Sequence, residues 1–415
     1  MSARAKTFWW SLGLLAYTQA GYPLLLLALA RLLRGSSRDG GRLLRPGADG
    51  PRRGDLDMGA CAGARAEELA SGEDDRLPSV SVIVAAYAEE AVIAARVRNL
   101  LALDYPRDRL EVIVACDGSP DATAARARAA GADLVLELPR GGKVRAQDQA
   151  VRRARGEILA FTDANAIWEP QALRELIRAF ADPRVGYACG AVRFLERSGT
   201  NQEGLYWRYE TAVRALESRL RSVTGGNGAI YATRRGSYLF VDPIMGHDLS
   251  FPFQMVKRGW RAVFVPSARS WEKMVPTIEG EFARKRRMMS HGWPIVLRGG
   301  MLSPRGYDPL YALMILSHRM LRYLAPFVHV SALAANLSLL RAGRLYRVAL
   351  TLQAAAITIA LLPAPLVRRA ARLAPARALL IVRYYVLTSA ALVLGLWDWL
   401  SGGTEPGWEP AEGTR

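Results

Sequence analysis

Cysteine is scarce in this chain of 415 residues. Its three examples, Cys61, Cys116 and Cys189, are scattered and odd in number. That excludes a disulfide framework or a cysteine-built metal site and fits a reducing cytoplasm. No unit repeats along the chain, so repeat architectures are excluded. Acidic residues are in deficit, 38 against 56 lysines and arginines, for a formal net charge of +18. Neither a recognition helix nor a zinc-ligand spacing accompanies that charge, so nucleic acid is not an expected partner. Much of the arginine instead borders apolar runs, where anionic lipid headgroups attract it.

Those runs account for an apolar share of 51%. Thr7 to Ala30 carries no charge and is long enough for a hydrocarbon core of about 30 Å. It is too long for the apolar part of a signal peptide, and no small-x-small site precedes the arginines from Arg31 on. Tyr323 to Leu340 and Val348 to Val367 are nearly uncharged, as is Ala378 to Leu400 apart from Arg383. The preceding run YDPLYALMILSHRML holds His318 and Arg319 mid-way and reads as an amphipathic helix in the interface rather than a span. Arg31, Arg34, Arg38, Arg42 and Arg45 follow the first span, against Arg4 and Lys6 before it. By the positive-inside rule the large middle region is cytoplasmic, and the expectation is a multi-pass protein of the cell membrane, with the lipid bilayer as a partner. Four spans would place Arg341, Arg344 and Arg347 outside, against that rule, and Arg368, Arg369, Arg372 and Arg377 inside, with it.

Gly35 to Arg76 is rich in Gly, Arg, Asp and Ala, shows no hydrophobic period, and reads as a flexible linker. The pattern changes at Pro78. SVSVIVAAY and RLEVIVAC are β-branched runs of the kind buried on both faces of a sheet; ADLVLEL and EILAFT follow. Helical stretches separate them, over 90–103, from about Asp121 and from Lys143. This alternation predicts an α/β fold with a doubly wound, mostly parallel sheet. Ligands of such sheets sit beyond the carboxyl ends of the strands, where Tyr87, Asp117 and Asp163 each follow a strand. Further helices are expected over 201–221, from Asp248, and over 277–298. The expected division is an N-terminal membrane helix with flanks (1–34), linker (35–77), cytoplasmic α/β domain (78–300), interfacial helix (301–322), about three C-terminal membrane helices (323–402) and a tail (403–415).

Six segments carry candidate chemistry. In AAYAEEAVI, Tyr87 and Glu89 lie on a loop whose backbone and carboxylate can hold a base and ribose; an ordinary strand-to-helix turn would also place a Glu there. In VACDGSPDAT, Asp117 can accept the N–H of a uracil while Asp121 caps the next helix. In RGGKVRAQDQAV, Lys143 at a helix start can reach a diphosphate, and the glycines let backbone approach it. TDAN sets Asp163 and Asn165 two residues apart. In extended chain these point the same way, so two oxygens can hold a divalent ion. MGHDLSFPFQMVKRGW puts Asp248 at a helix start, where it can also serve as a cap. ARKRRMMSHGW puts Arg287 on a basic helix, able to brace a diphosphate or simply to face headgroups. The glycines of TGGNGAIYATRR, Gly225, Gly226 and Gly228, permit close approach of a ligand or a bulged turn.

In order and spacing these segments resemble the family 2 glycosyltransferases, inverting enzymes of the GT-A fold and often membrane-anchored, over about Val80 to Trp293 and into the apolar tail. The resemblance implies a nucleotide-sugar donor, a UDP-sugar by preference, a lipid-linked or glycan acceptor, and Mg²⁺ or Mn²⁺. Tyr87, Glu89, Asp117, Lys143, Asp163 and Arg287 would lie at the donor, with Asp163 and Asn165 at the metal and Asp248 as general base. Gly225, Gly226 and Gly228 would line the acceptor side. Ala88, Cys116, Asn165 and His247 stand where the family has Asn, Asp, Asp and an acid; Asp148 stands in an Asn position. Processive members carry Gln-x-x-Arg-Trp on an interfacial helix; here Arg284 and Met288 replace the Gln and the Trp, with Trp293 as a possible substitute ring. A processive polysaccharide synthase and a catalytically inactive nucleotide sensor or scaffold are the alternatives.

Overall fold

A computed structural model describes residues 1–36, 77–195, 203–370, 376–404 and 407. Most of the stretch read as a linker, with Cys61, and most of the tail lie outside the described residues. In chain order the elements are helix α1 (Ala3–Leu33, wound as a π turn at Tyr17–Gly21), β1 (Val80–Ala86), α2 (Ile93–Leu101), β2 (Leu110–Asp117), α3 (Thr123–Ala129), β3 (Leu134–Leu138), α4 (Lys143–Arg153), β4 (Ile158–Asp163) and β5 (Ile167–Trp168). There follow α5 (Ala172–Arg178), β6 (Val185–Phe194), α6 (Glu203–Leu220), β7 (Tyr231–Arg234), α7 (His247–Lys257), β8 (Arg261–Glu272) and α8 (Ile278–Leu297). The C-terminal region is α9 (Pro309–Met314, a π turn at Ile315–Met320, then Leu321–Leu337), α10 (Arg344–Leu361), α11 (Ala364–Ala370) and α12 (Ala376–Gly402).

The eight strands form one sheet in the order β3-β2-β1-β4-β7-β6-β8-β5. The first four are parallel, β7 enters antiparallel between β4 and β6, β8 is parallel to β6, and β5 is antiparallel to β8. The β-branched runs find both faces covered, as their lack of alternation requires. Val82, Val84, Val112 and Val114 enter the core on one face; Ile83, Ile113, Leu159 and Phe161 enter the core on the other. Register sets the strand ends level: Ala85 pairs with Ala115 on one side and with Asp163 on the other, and Ala86 pairs with Cys116. The loops after β1, β2 and β4 therefore emerge side by side.

Three helices among the described residues are long and apolar enough to cross a membrane: Ala3–Leu33, Arg344–Leu361 and Ala378–Gly402. Tyr323 to Leu340, read as a fourth span, is not among them. As far as Leu337 that segment belongs to α9, which runs on from the stretch read as interfacial, with its His318 and Arg319 buried against the globular unit. Helix α8 lies along α12. Arg286 holds Asp398 bidentately, both bonds at 2.7 Å. Arg383 donates to Glu279 at 2.9 Å and, at the end of α10, to the carbonyls of Ala360 (2.8 Å) and of the capping residue Leu362 (2.6 Å). A buried arginine is tolerable on an apolar helix only with such partners.

Gly156, just before β4, has no room for a side chain: a Cβ there would meet the backbone of Val80 and Ser81, with the Val80 Cα at 2.8 Å. Gly156→Ala should push β4 away from β1 and destabilise the protein by about 1–3 kcal/mol, as overpacking does. A thermal melt in detergent should show the lower Tm; an unchanged Tm would contradict this packing of β1 on β4.

Candidate active site

The loops after β1 and β2 are laced together by the side chains of the second motif. Ser119, Asp121 and Thr123 accept the backbone N–H groups of Ala88 (3.2 Å), Glu90 (3.1 Å) and Glu89 (2.9 Å) in turn. Asp121 also accepts the Thr123 N–H at 3.1 Å. Burial opposes its charge, but the hydroxyl of Thr123 and these amides outweigh it and hold the carboxyl below the ordinary value. Tyr87 and Glu89 are thus carried on a braced loop. Ala88 adopts φ 52°, the left-handed region that Asn enters more easily than Ala. Cys116, standing for an acid, is a buried thiol whose pKa burial pushes up to about 11.

Asp117, at the tip of β2, is 4% exposed and spans to the loop before α4. It accepts from Gly141 N (2.7 Å), Gly142 N (2.9 Å) and Arg140 Nη1 (3.0 Å). The Arg140 guanidinium also stacks 3.3 Å above the centre of the Tyr87 ring. Gly118 (φ 65°) is obligatory here, since a Cβ would lie 2.8 Å from Arg140 N. Asp117 therefore orders the loop that delivers Lys143, the first residue of α4. Arg140 sits inside the quoted RGGK segment; its role was not legible because stacking on Tyr87 depends on strand order.

Lys143 pairs with Asp163 at the tip of β4. Burial disfavours its charge, but Asp163, then Asp248 and Glu272, outweigh that and raise its pKa above that of a free lysine. Gly228 closes the group: a Cβ there would lie 3.0 Å from Lys143 Nζ and 3.4 Å from Asp163 Oδ2. Behind Asp163, buried Arg96 donates to Thr162 Oγ1 at 2.6 Å and stacks on Trp168. The chain turns directly after Asp163, with Ala166 N donating to Asp163 O at 3.3 Å. Asn165 is therefore held by a turn, not by the extended strand that the i, i+2 argument assumed. The candidate pair, Asp163 and Asn165, offers one carboxylate and one amide, hard oxygens of the kind that suit Mg²⁺ or Mn²⁺ and that would leave most of the shell to ligand oxygens. Lys143 Nζ fills the space between Gly228 and the Asp163 carboxylate, so it is the donor chemistry alone that fits such an ion. No group of three or more His, Cys, Asp or Glu arranged for a metal occurs among the described residues.

Asp248 stands in the first turn of α7, and its carbonyl accepts the Gly226 N–H at 2.6 Å. A Cβ at Gly226 would collide with the Tyr187 hydroxyl, and one at Gly225 with the Arg319 guanidinium. His247 does not act on Asp248 as a cation. It is buried among Phe161, Tyr231, Tyr238 and Phe251, with its ring centre 4.0 Å from that of Phe251, and burial, with Lys143 adding, pushes its pKa down to about 3. Tyr231 bonds its Nδ1 at 2.8 Å.

On α8, Arg284 and Lys285 pair with Glu281 and Arg286 with Asp398, while His291 bonds the Ile244 carbonyl at 3.3 Å, close to the start of α7. Arg287 and Asp248 both act on His291, whose pKa lies below the ordinary value chiefly through burial. His291 was missed; nothing in its spacing marks it. Trp293 is not brought to the cleft. It is 4% exposed, donates from Nε1 to Leu392 O at 2.8 Å and packs against Tyr323, so it has no free face for a sugar. Asp148, on the inner side of α4, accepts the Tyr238 hydroxyl at 2.7 Å, and burial raises its pKa. Tyr87, Asp117, Lys143, Asp163, Gly228, Gly226 and Asp248 thus form one contiguous set at the carboxyl ends of the strands.

Comparison with known proteins gives the family and the fold type. The model of "Glycosyltransferase like family 2" matches residues 78–292. The chain belongs to that family. The β-monoglucosyldiacylglycerol synthase of Trichormus variabilis is 28% identical over 265 residues, 56% of this chain and 54% of that protein. The poly-β-1,6-N-acetyl-D-glucosamine synthase of Staphylococcus aureus (strain COL) is 24% identical over 253 residues, 58% of this chain and 61% of that protein. The chain spans little more than half the length of these curated relatives. A mannosyltransferase from Pyrobaculum calidifontis, solved with GDP-Man and Mn²⁺, superposes with a TM-score of 0.65 at 23% identity, covering 95% of this chain and 99% of that one. The fold is thus of the GT-A type expected for family 2, with the added apolar helices.

A histidine held neutral by burial loses its contribution on acidification. The folded pKa of His247 (about 3) lies below the unfolded one (about 6.5), so the unfolded state binds the extra proton between them. Stability should fall as pH drops from about 6.5 toward 3, with His247 alone contributing about 1.4 kcal/mol per pH unit within that window. Denaturant melts at pH 7, 6 and 5 should show this slope, and it should flatten in His247→Phe; equal slopes in both proteins would contradict a neutral buried His247.

Proposed function

We propose that the protein is an inverting glycosyltransferase of the cell membrane, with its α/β domain on the cytoplasmic side. It moves a sugar from a nucleotide donor, a UDP-sugar by preference, to a hydroxyl of a lipid-linked or glycan acceptor. What carries this reading is the contiguity of Lys143, Asp163, Gly228 and Asp248, since transfer needs a cationic diphosphate site next to a carboxylate free to take a proton. The names of the relatives, one a glucosyldiacylglycerol synthase and one a poly-N-acetylglucosamine synthase, support the acceptor classes.

Asp248 accepts the proton of the acceptor hydroxyl as its oxygen attacks the anomeric carbon opposite the leaving diphosphate. Lys143 and Arg287 offer positive charge to that diphosphate. Asp163 and Asn165 would hold a divalent ion, which when bound supplies further neutralisation of the leaving group. Tyr87, with Arg140 on one face, and the loop of Glu89 and Asp117 form the wall for the base and ribose. The glycines at 225, 226 and 228 leave the acceptor side without side chains. Three apolar helices and the arginines bordering them support attachment to the bilayer, and the excess arginine after the first supports the cytoplasmic placement.

A panel of nucleotide sugars incubated with purified protein, lipid and glycan acceptors and Mg²⁺ or Mn²⁺ should release UDP or GDP from at least one donor. Asp248→Asn should lower that release by about a hundredfold or more, as loss of a general base does. Chelation by EDTA should abolish it, with recovery on adding the metal back. Release unaffected by Asp248→Asn, or absent with every donor, would overturn the proposal.

A further inference from the structure

Resting on the reading just given, we propose that the buried polar cluster joining Glu210 and Glu217 to His318 and Arg319 positions the acceptor-side loop. Through Thr224 and Gly226, Arg319 places Asp248 for the transfer.

The cluster lies where α6, α1 and α9 meet. Glu210, Arg214, Glu217, Thr224, His318 and Arg319 are all buried. Glu217 accepts the Tyr22 hydroxyl at 2.6 Å and bonds His318 Nδ1 at 2.7 Å. Glu210 meets His318 Nε2 at 3.2 Å, Arg319 Nη2 at 3.3 Å and Arg322 Nη1 at 2.6 Å. Burial alone would raise both carboxyls, but His318 and the arginines hold Glu210 well below and Glu217 below the ordinary value. Removing ions from water costs several kcal/mol each, and apolar side chains would join helices equally well. The arrangement therefore calls for a reason other than adhesion, and the loop beside it supplies one.

Residues 223–228 are held one after another, first from the helices and then from the cleft. The Val223 carbonyl accepts the Tyr311 hydroxyl of α9 at 3.0 Å. Thr224 donates its N–H to Glu217 Oε2 at 3.0 Å, and its hydroxyl accepts Arg319 Nε at 3.0 Å. Gly225 lies against the guanidinium so closely that a Cβ would sit 2.8 Å from Arg319 Cζ. Gly226 N donates to the Asp248 carbonyl at 2.6 Å. Asn227 is 4% exposed, donates to Gly190 O at 2.8 Å and accepts Ile230 N at 2.9 Å. Gly228 abuts Lys143 and Asp163. A shift of α9 is thus passed through Arg319 and Thr224 to the backbone that supports the base. Arg319 is buried and acts through Thr224 and Gly225, so it is a positioning residue.

The test uses the full chain in detergent or nanodiscs and two readouts, steady-state transfer and amide hydrogen exchange over 223–228. Thr224→Val, close in shape, removes the hydroxyl that joins Arg319 to the loop; Arg319→Met removes the guanidinium, and Arg319→Lys restores its charge alone. Thr224→Val and Arg319→Met should lower kcat about tenfold with the donor KM within about twofold, the pattern of misplaced reacting groups rather than lost binding. The Gly226 amide should exchange about tenfold faster in both, while β1, β2 and β4 remain protected. Arg319→Lys should recover part of each effect. Asp398→Asn, which breaks the separate tether between α8 and α12, should leave exchange over 223–228 unchanged. Unaltered kcat and Gly226 exchange in Thr224→Val would overturn the proposal, as would faster exchange spread evenly over the sheet. If Arg319→Met does not fold, Thr224→Val alone decides. Should the wild-type protein transfer no sugar, the enzymatic reading fails, and the exchange data still decide the coupling by themselves.

Discussion

The parallel register of β1 with β2 and β4 is the constraint from which the site follows. Parallel strands bonded in step end in step, so the loops leaving Ala86, Asp117 and Asp163 are neighbours whatever side chains they carry. The apolar runs hold that register because a slip by one residue would exchange the two buried faces, moving Val82 and Val84 to the place of Ile83. Everything polar at the strand ends is then arranged on a fixed edge. Asp117 grips the amides of Gly141 and Gly142, that grip sets the start of α4, and the start of α4 puts Lys143 on Asp163.

The residues that depart from the family pattern are accommodated by different physics. Cys116 and His247 replace acids with groups that burial keeps neutral, so both become part of the apolar framework rather than of the charge balance. Asn165 reduces the negative charge beside Asp163, a carboxylate already faced by Lys143 and backed by Arg96. Ala88 occupies a left-handed position at a cost of about 1–2 kcal/mol, offset by the bond its N–H makes to Ser119. None of the four removes Lys143, Asp163 or Asp248, the groups on which the proposed transfer depends.

The apolar helices are joined to the globular unit by charge as well as by packing. Arg286 with Asp398, Arg383 with Glu279, and the cluster around Glu210 each tie a helix of the C-terminal region to α8 or α6. Directional bonds of this kind fix angles and heights that sliding apolar surfaces leave free. These ties seat α8, which carries Arg287 and His291, and α9 lies against the loop of Thr224 and Gly225, so the placement of the helices bears directly on the cleft.

Much of this was legible in the sequence. Continuous β-branched runs, alternating with helices, specify a parallel sheet because only burial on both faces tolerates them. Asp117, Asp163 and Asp248 could be singled out because each follows a strand or opens a helix, a local property. The readings that needed correction depended on distant partners. Trp293 looked available until Leu392 and Tyr323 covered it; Asn165 looked extended until the chain turned; His318 and Arg319 looked like a polar face for headgroups until Glu210 and Glu217 met them. Arg140 over Tyr87 and Arg96 behind Asp163 carry no sequence mark at all. The sequence by itself determined which strands form and what chemistry stands at their ends, since hydrophobic period and turn residues act over a few positions. Only the tertiary structure decided which charges meet, because pairing depends on the order of strands and the seating of helices, set by contacts between residues far apart in the chain.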